Sequence, residues 1–552
     1  MDLKKSITEL NISLEHIEDP GVKKAMTQLL NIIEAQAGMI KKLSADNQRL
    51  KDENNRFKGE QGKPNIRKQT KPKQDISSEA ERKPENNTKH LRQKKKGRIK
   101  ISRTEICQLD KNQLPVDVIF KGYQSVVVQD IAVRLDNVEF KKAIYYSPSL
   151  KKTFIAPTPV GYEGEFGPTI KALVLDLHHN SKMSESAIQR FLENQSVSIS
   201  EATIARLLTQ NQKAFHEEKQ AVVEAGLASS VHQQMDDTGA RVKGRNHYTH
   251  ILCNALYTAY FTRPHKDRLT ILDILSQGQM SFHFTESAFA LMEQMKLPSK
   301  RLAELIARNP AKTMNQQEVD ALLNELYPNQ GKHQTNRRVI LEASAISAYQ
   351  QLPFAIKLLL TDDAPQFKQV TDLLALCWVH DARHYKKLEP VIECHREQLA
   401  KFLGRYWDYY RKLLVYKAVP TEALAISLTE EFDGLFATKT GYEQLDERIE
   451  KTKLKKESLL LVLTHPTLPL HNNASELGAR TQARYRDISY HTMSELGTQA
   501  KDTFMTLVET GKKLSVNTYH NFYDRLTKKG DIPSLADLIR SRSQGFAFNA
   551  TG

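Results

Sequence analysis

The chain has 552 residues, 40% of them hydrophobic, which is too long for one ordinary core and sufficient for two to four packed domains. Lysine and arginine number 80 against 65 acids, a formal charge of +15, so the chain attracts phosphates and anionic surfaces. It has no apolar run of about 18 residues and so no expected membrane span. The N-terminal MDLKKSITEL carries no secretory apolar stretch, and Cys107, Cys253, Cys377 and Cys394 form no C-x-x-C pair, which excludes a disulfide framework and a thiolate zinc site. A soluble, reduced, intracellular setting is expected.

Residues 1–58 read as helix with a heptad. Met26, Ile33, Ile40, Asn47 and Asn54 hold its first core position, and Leu29, Gln36, Leu43, Leu50 and Phe57 its second. Asparagine at the first position fixes register and two-strand pairing, so a coiled coil joining a homodimer or higher homo-oligomer is expected. A helix packed on its own domain is the alternative. Residues 59–103 are polar and read as a disordered linker that ends in the cationic tract Arg92–Lys100. In 104–163 the β-branched and aromatic segments Ser125–Leu135 and Phe140–Tyr146 predict a small β-rich module. In 164–228 two short helices, Ser184–Asn194 and Ser198–Leu208, have helix-turn-helix spacing, in which the second helix enters a DNA major groove.

From residue 229 the pattern is mixed α/β. Strands are expected at Val231–Gly239, Tyr248–Leu256 and Tyr257–Thr262, then a helix at Leu269–Ser276, a strand at Phe354–Asp363, a helix, and a strand at Leu374–His380. Three strands, a helix, then β-α-β with acids at strand ends is the ordering of the ribonuclease H fold. That fold sets carboxylates on adjacent central strands and a nearby helix to hold two cations. Magnesium, a hard cation, prefers such oxygen ligands. Strand alternation puts Asp236 on the polar face with His232 and Gln234, and Asp237 on the face of Val231 and Met235, so Asp236 is the better candidate. The strand before Asp362 and Asp363 is apolar on both sides and leaves that choice open. Glu476 stands three residues after Asn473, which is also the spacing of a capping box, and Arg480 one turn on can meet Glu476 or a phosphate. His380 and His384 are an i, i+4 pair, but Asp381-Ala382-Arg383 between them lacks the glutamate of a zinc protease, so zinc is not expected. His380 instead belongs beside the carboxylates, with Arg383, Lys386 and Lys387 facing DNA phosphate.

Three blocks, in order, resemble those of the bacterial insertion-sequence-sixty-six transposases of the DDE class. Asp236–Val242 is similar to their D-E-T-G-x-R-V, Cys377–Lys387 to C-W-A-H-x-R-R-x-F, and Asn472–Arg480 to N-N-x-x-E-x-x-x-R, while Ala500–Asn517 echoes their closing helix. The resemblance covers roughly Ser230 to Phe522 and implies three metal ligands: Asp236, Asp362 (in a turn like D-x-G-x-x-F) and the helix-borne Glu476. It further implies two Mg²⁺ or Mn²⁺ ions and DNA substrates, namely terminal inverted repeats and target. Members usually carry a four-cysteine zinc element before the helix-turn-helix; here only Cys107 stands in that region, a further reason to expect no zinc. The expected architecture is therefore multidomain α/β: a coiled coil, a β-rich module, a helix-turn-helix, and a ribonuclease H-like catalytic domain at 229–522. Helical insertions fall at about 284–347 and 388–470, and a tail at 523–552. The expected activity is metal-dependent strand cleavage and transfer; the alternative is a catalytically inactive coiled-coil DNA-binding protein derived from a transposase.

Overall fold

The structure is a computed structural model and describes residues 17–57, 100–109, 118–131, 133–308, 310, 312–328 and 331–549. Nearly all of the expected linker, including the tract Arg92–Ile99, lies outside these residues.

Helix α1 spans Pro20–Phe57. Its start follows from Asp19, whose Oδ1 accepts from the backbone N–H of Gly21 (2.7 Å) and Val22 (2.9 Å), with proline at the first helical position. The helix docks on its own chain through a face the heptad does not use. Leu30 is buried, and the buried Glu34 carboxylate accepts from Val391 N (2.7 Å) and Ile392 N (3.3 Å) and meets His395 Nδ1 at 3.2 Å. Asn31 donates to Gly441 O (2.9 Å) and accepts from Glu443 N (3.1 Å). The heptad positions Leu29, Ile40, Leu43, Leu50 and Phe57 all stay exposed. Glu34→Ala is expected to cost about 2 kcal/mol of docking, because it orphans buried N–H donors. Hydrogen exchange in α1 should then accelerate while the sheet keeps its protection; unchanged exchange in α1 would show that Glu34 is not what holds it.

In 104–163 the only regular structure among the described residues is the antiparallel hairpin of β1 (Ile144–Ser147) and β2 (Lys152–Ile155). Among the described residues, the expected strand Ser125–Leu135 is absent: Val126, Val128, Ile131 and Val133 are exposed and no neighbouring described strand offers a ladder. High β-propensity describes a pleated, half-buried surface, and here that surface is lacking.

The helical region is α2 (Pro168–Leu175), a π turn at Asp176–Asn180, α3 (Glu185–Glu193), α4 (Glu201–Thr209) and α5 (Lys213–Ala228). Ser184 and Ser200 cap α3 and α4 by accepting from Ala187 N and Thr203 N. Ile188, Leu192, Ile204 and Leu208 turn both helices onto the core.

The sheet comprises β3 (His232–Val242), β4 (Arg245–Cys253), β5 (Thr258–Arg263), β8 (Leu358–Thr361) and β9 (Leu373–Leu376), in the order β5-β4-β3-β8-β9. The first three are antiparallel; β8 runs parallel to β3, and β9 to β8. Between β5 and β8 come α6 (Arg268–Leu275), α7 (Glu286–Gln294), α8 (Ser299–Ala307), α9 (Gln316–Leu326) and α10 (Gln334–Gln350), with a two-residue pairing of β6 (Phe282–His283) and β7 (Thr313–Met314). This segment builds no core of its own: Met292, Leu305, Leu323 and Ile340 join the buried cluster that includes Met235 and Leu252 of the sheet.

Two local expectations are corrected. One 3-10 turn, Pro365–Phe367, replaces the helix expected between β8 and β9. The strand expected to reach His380 stops at Leu376, and α11 (Trp378–Lys386) begins after Cys377, whose N–H still bonds Thr361 O. An unbroken apolar run cannot be divided between strand and buried helix by periodicity alone. His380 thereby lies on a helix, one turn from Arg383 on the same face.

Helices α12 (Glu393–Ala418), α13 (Glu422–Phe436) and α14 (Glu443–Lys453) form a second core, in which Trp378 packs with Tyr406, Tyr409, Phe432 and Phe436. The chain returns through α15 (Asn473–Ile488), α16 (Glu495–Lys513), α17 (Thr518–Thr527) and α18 (Leu535–Asn549). Within the segment expected as a tail from 523, helix α18 packs on α5 and buries Leu535, Ala536 and Ile539. No helix among the described residues is long and apolar enough to cross a membrane.

Candidate active site

Strands β3 and β8 pair His232 with Leu358, Gln233 with Leu359 and Gln234 with Leu360. Asp236 lies two residues beyond the last β3 position paired with β8, and Asp362 follows the end of β8 directly, close enough for its charge to act on Asp236. On the other side of β3, Asp236 is opposite Ile251 of β4.

Helix α15 lies over this face at close range. A Cβ on Gly478 would fall 2.7 Å from Ile251 Cγ2, so only glycine lets the helix approach this far, and Tyr260 donates its hydroxyl to Gly478 O (3.3 Å). The start of α15 is pinned as well. Buried Asn472 donates Nδ2–H to Met235 O (2.9 Å), its backbone N–H reaches Cys377 Sγ (3.2 Å), and Trp378 N–H donates to Leu470 O (3.0 Å). Glu476, in the first turn of α15, is thus carried towards the Asp236 end of β3.

The capping reading of Glu476 is not what the structure shows. The residue before the helix is Asn472, and its side chain makes no cap. Glu476 instead receives Arg383 Nη2 on both oxygens (3.1 and 2.9 Å), with His380 Nε2 at 3.6 Å. Arg383 Nη1 lies 2.8 Å from His380 Nε2. Burial, then the Arg383 charge, hold His380 below the usual histidine range, which suits a neutral ring accepting from Arg383. Arg480 is exposed and makes no ion pair with Glu476 among the described residues. Lys386 Nζ lies 6.0 Å from the Trp407 ring centre, and Lys387 and His384 are exposed.

Charge separates the adjacent acids more sharply than position does. Asp237 accepts from Gln366 Nε2 (2.7 Å) and lies 3.6 Å from Lys266 Nζ. Asp363 pairs with Lys455 (2.7 Å) and Lys368 (3.4 Å); burial raises its carboxyl, but the two lysines outweigh burial and hold it below the usual range. Asp236 and Asp362 have no lysine or arginine paired with them among the described residues. Burial pushes Asp236 up to about 7, against a hydrogen bond from Asp237 N (2.8 Å), and the negative charges of Asp362, Asp237 and Glu476 add to the rise. Burial also raises Asp362, opposed by Ala364 N and by His380.

These are oxygen donors of the kind Mg²⁺ or Mn²⁺ takes, buried and short of positive charge. Gln234 Oε1 and Asn472 Oδ1 nearby are also buried without a partner. The chemistry of the donor set therefore fits a hard divalent cation. As the side chains stand, no group of three or more His, Cys, Asp or Glu among the described residues is gathered tightly enough to hold an ion, and Glu476 is engaged by Arg383. Sequence reasoning missed Asn472 as an anchor, Gly478 as a close-approach position, and Lys266 and Lys455 as the cations that neutralise the neighbouring acids. Asn472 was visible in the N-N-x-x-E block; the lysines had no sequence signal, because their partners are distant in the chain.

Comparison with known proteins agrees with the first of the blocks read from the sequence, Asp236–Val242. Residues 163–292 match the model of the family described as Transposase IS66 family. The chain is 31% identical over 327 residues to the uncharacterized protein y4jO of Sinorhizobium fredii, a match that covers 58% of this chain and 100% of the relative. No solved structure matches.

Proposed function

The chain belongs to the IS66 transposase family, and from that premise we propose that Asp236, Asp362 and Glu476 are the carboxylates with which it cuts and joins DNA strands. The observation that carries the proposal is the pairing of charges: of two adjacent-acid pairs on neighbouring strands, Asp237 and Asp363 have lysines, and Asp236 and Asp362 do not. A sheet of three antiparallel strands with two more parallel to the first, in the order β5-β4-β3-β8-β9, supports a ribonuclease H-like core.

When bound, two Mg²⁺ or Mn²⁺ ions would activate the attacking oxygen and stabilise the leaving one. The chain's own part is positional. Strand β3 and the end of β8 bring Asp236 and Asp362 within electrostatic reach of each other, and Asn472 and Gly478 fix α15 so that Glu476 acts on Asp236 as well. Arg383, Lys386, Lys387 and Arg480 supply positive charge for the DNA backbone. The capped pair α3–α4 is the candidate reader of the terminal repeats. The exposed heptad seam of α1 supports self-association, with the opposite face of that helix fixed to the chain's own α12.

The test is strand transfer with the element's terminal repeats and Mg²⁺. Asp236→Ala, Asp362→Ala and Glu476→Ala should each lose activity about a thousandfold or more. Asp237→Asn and Asp363→Asn should stay within about tenfold, since their carboxylates are already spent on lysines. Activity surviving all three alanine substitutions would overturn the assignment, and Asp363→Asn proving as damaging as Asp362→Ala would move the second ligand.

A further inference from the structure

The residue that engages the third acid carries a consequence for how the site is assembled. Arg383 offers Nη2 to Glu476 Oε1 (3.1 Å) and Oε2 (2.9 Å), so both oxygens of that carboxylate are occupied by one guanidinium. Its Nη1 lies 2.8 Å from His380 Nε2, the ring that is itself 3.6 Å from Glu476. The Glu476 side chain is 15% exposed and that of Arg383 42% exposed, so the acid sits inside and the guanidinium at the rim. An arginine at a rim is reachable by a phosphate oxygen, which its planar fork matches as well as it matches a carboxylate. Asp236 and Asp362, by contrast, have no such cation among the described residues. Of the three acids, only Glu476 is masked.

We propose that Arg383 is a DNA-responsive clasp, a positioning residue that holds Glu476 closed in the DNA-free protein and releases it when a backbone phosphate takes the guanidinium. The statement rests on Glu476 being the third metal ligand. Arrival of the substrate then completes the metal site, which keeps a DNA-cutting centre from assembling on a protein that holds no DNA. Glu476 exchanges one positive partner for another, and Arg383 exchanges a carboxylate for a phosphate, so neither charge is left bare during the exchange. The His380 ring, on the same helix one turn before Arg383, provides the second contact from which the guanidinium must also withdraw.

The experiment is Mn²⁺ binding to the full chain, followed by electron paramagnetic resonance, with and without a short duplex of arbitrary sequence. The wild type should bind Mn²⁺ weakly alone and about tenfold more tightly with DNA. Arg383→Gln removes the charge and the fork; it should bind Mn²⁺ about tenfold more tightly than wild type without DNA and show little further gain when DNA is added. Arg383→Lys, which keeps the charge but not the fork, should fall between them and serves if the glutamine variant does not fold. A DNA-free Mn²⁺ affinity in both variants equal to or weaker than wild type would overturn the clasp, because an arginine with a merely structural role produces that result. Glu476→Gln separates the two claims. If it binds Mn²⁺ as wild type does in the presence of DNA, Glu476 is not a ligand and the underlying assignment fails. If it weakens binding while Arg383→Gln does not tighten it, only the clasp fails.

Discussion

Asp236→Asn should make the metal-free protein more stable above neutral pH and at the same time abolish strand transfer. Burial and neighbouring acids raise the Asp236 carboxyl from an ordinary 3.8 to about 7 in the folded chain. Between those values the folded state holds a proton that the unfolded chain gives up, so this group's contribution to stability falls as pH rises from about 4 to about 7 and is fully unfavourable beyond it. Asparagine keeps the shape without the charge. At pH 8 in a chelator the variant should therefore gain on the order of 2 kcal/mol, a value reduced from the full shift to allow for partial solvent access, and the gain should vanish near pH 4. Added Mg²⁺ should raise the melting temperature of wild type but not of Asp236→Asn. Melting curves at pH 5 and pH 8, each with and without Mg²⁺, are sufficient. A variant no more stable than wild type at pH 8 would mean that the Asp236 carboxylate is not under the strain described.

Gly478→Ala should be the second large effect, and its sign is informative. Replacing glycine by alanine inside a helix ordinarily stabilises it by about 1 kcal/mol. Here the new methyl would meet Ile251 Cγ2 at 2.7 Å and the Tyr260 hydroxyl at 3.3 Å, so α15 must shift off β4. Overpacking of this kind costs about 1–3 kcal/mol, and a displacement approaching 1 Å of a catalytic group costs on the order of a hundredfold in rate. Ile251→Ala removes the atom that the methyl strikes, so the double variant should be less destabilised, and lose less activity, than the sum of the two single substitutions. Simple additivity of the two substitutions would show that the contact is not responsible.

The acids differ in how legible they were, and for different reasons. Asp236 could be chosen over Asp237 because strand alternation groups it with His232 and Gln234, and the structure adds the lysine and glutamine contacts that occupy Asp237. The strand pattern alone could not choose Asp362, because β8 is buried on both faces, and only the resemblance pointed to it; the structure distinguishes it from Asp363 through Lys455, far along the chain. Glu476 taken alone reads as a helix cap, and only its place in the N-N-x-x-E block pointed elsewhere; in the structure Arg383 holds both of its oxygens. In α1 the heptad stood out, whereas the docking face through Leu30, Asn31 and Glu34 did not, since polar residues on a helix suggest solvent until a buried partner such as His395 is known. The β-branched run near residue 130 shows the opposite error, a strong local preference with no partner strand to satisfy it. The apolar stretch before His380 was divided wrongly because strand and buried helix are equally apolar there.

The helical core between the second and third acids also sets a clock. Asp362 and Glu476 are separated by 114 residues, and a ribosome adding roughly 5–20 residues per second needs on the order of ten seconds to cover that stretch. During that interval a nascent chain already has the paired strands β3 and β8 in hand but no α15 to lay across them. The proposed three-acid centre is therefore among the last features a newly made molecule acquires, so a chain that stalls or is truncated within α12–α14 is left without its third acid.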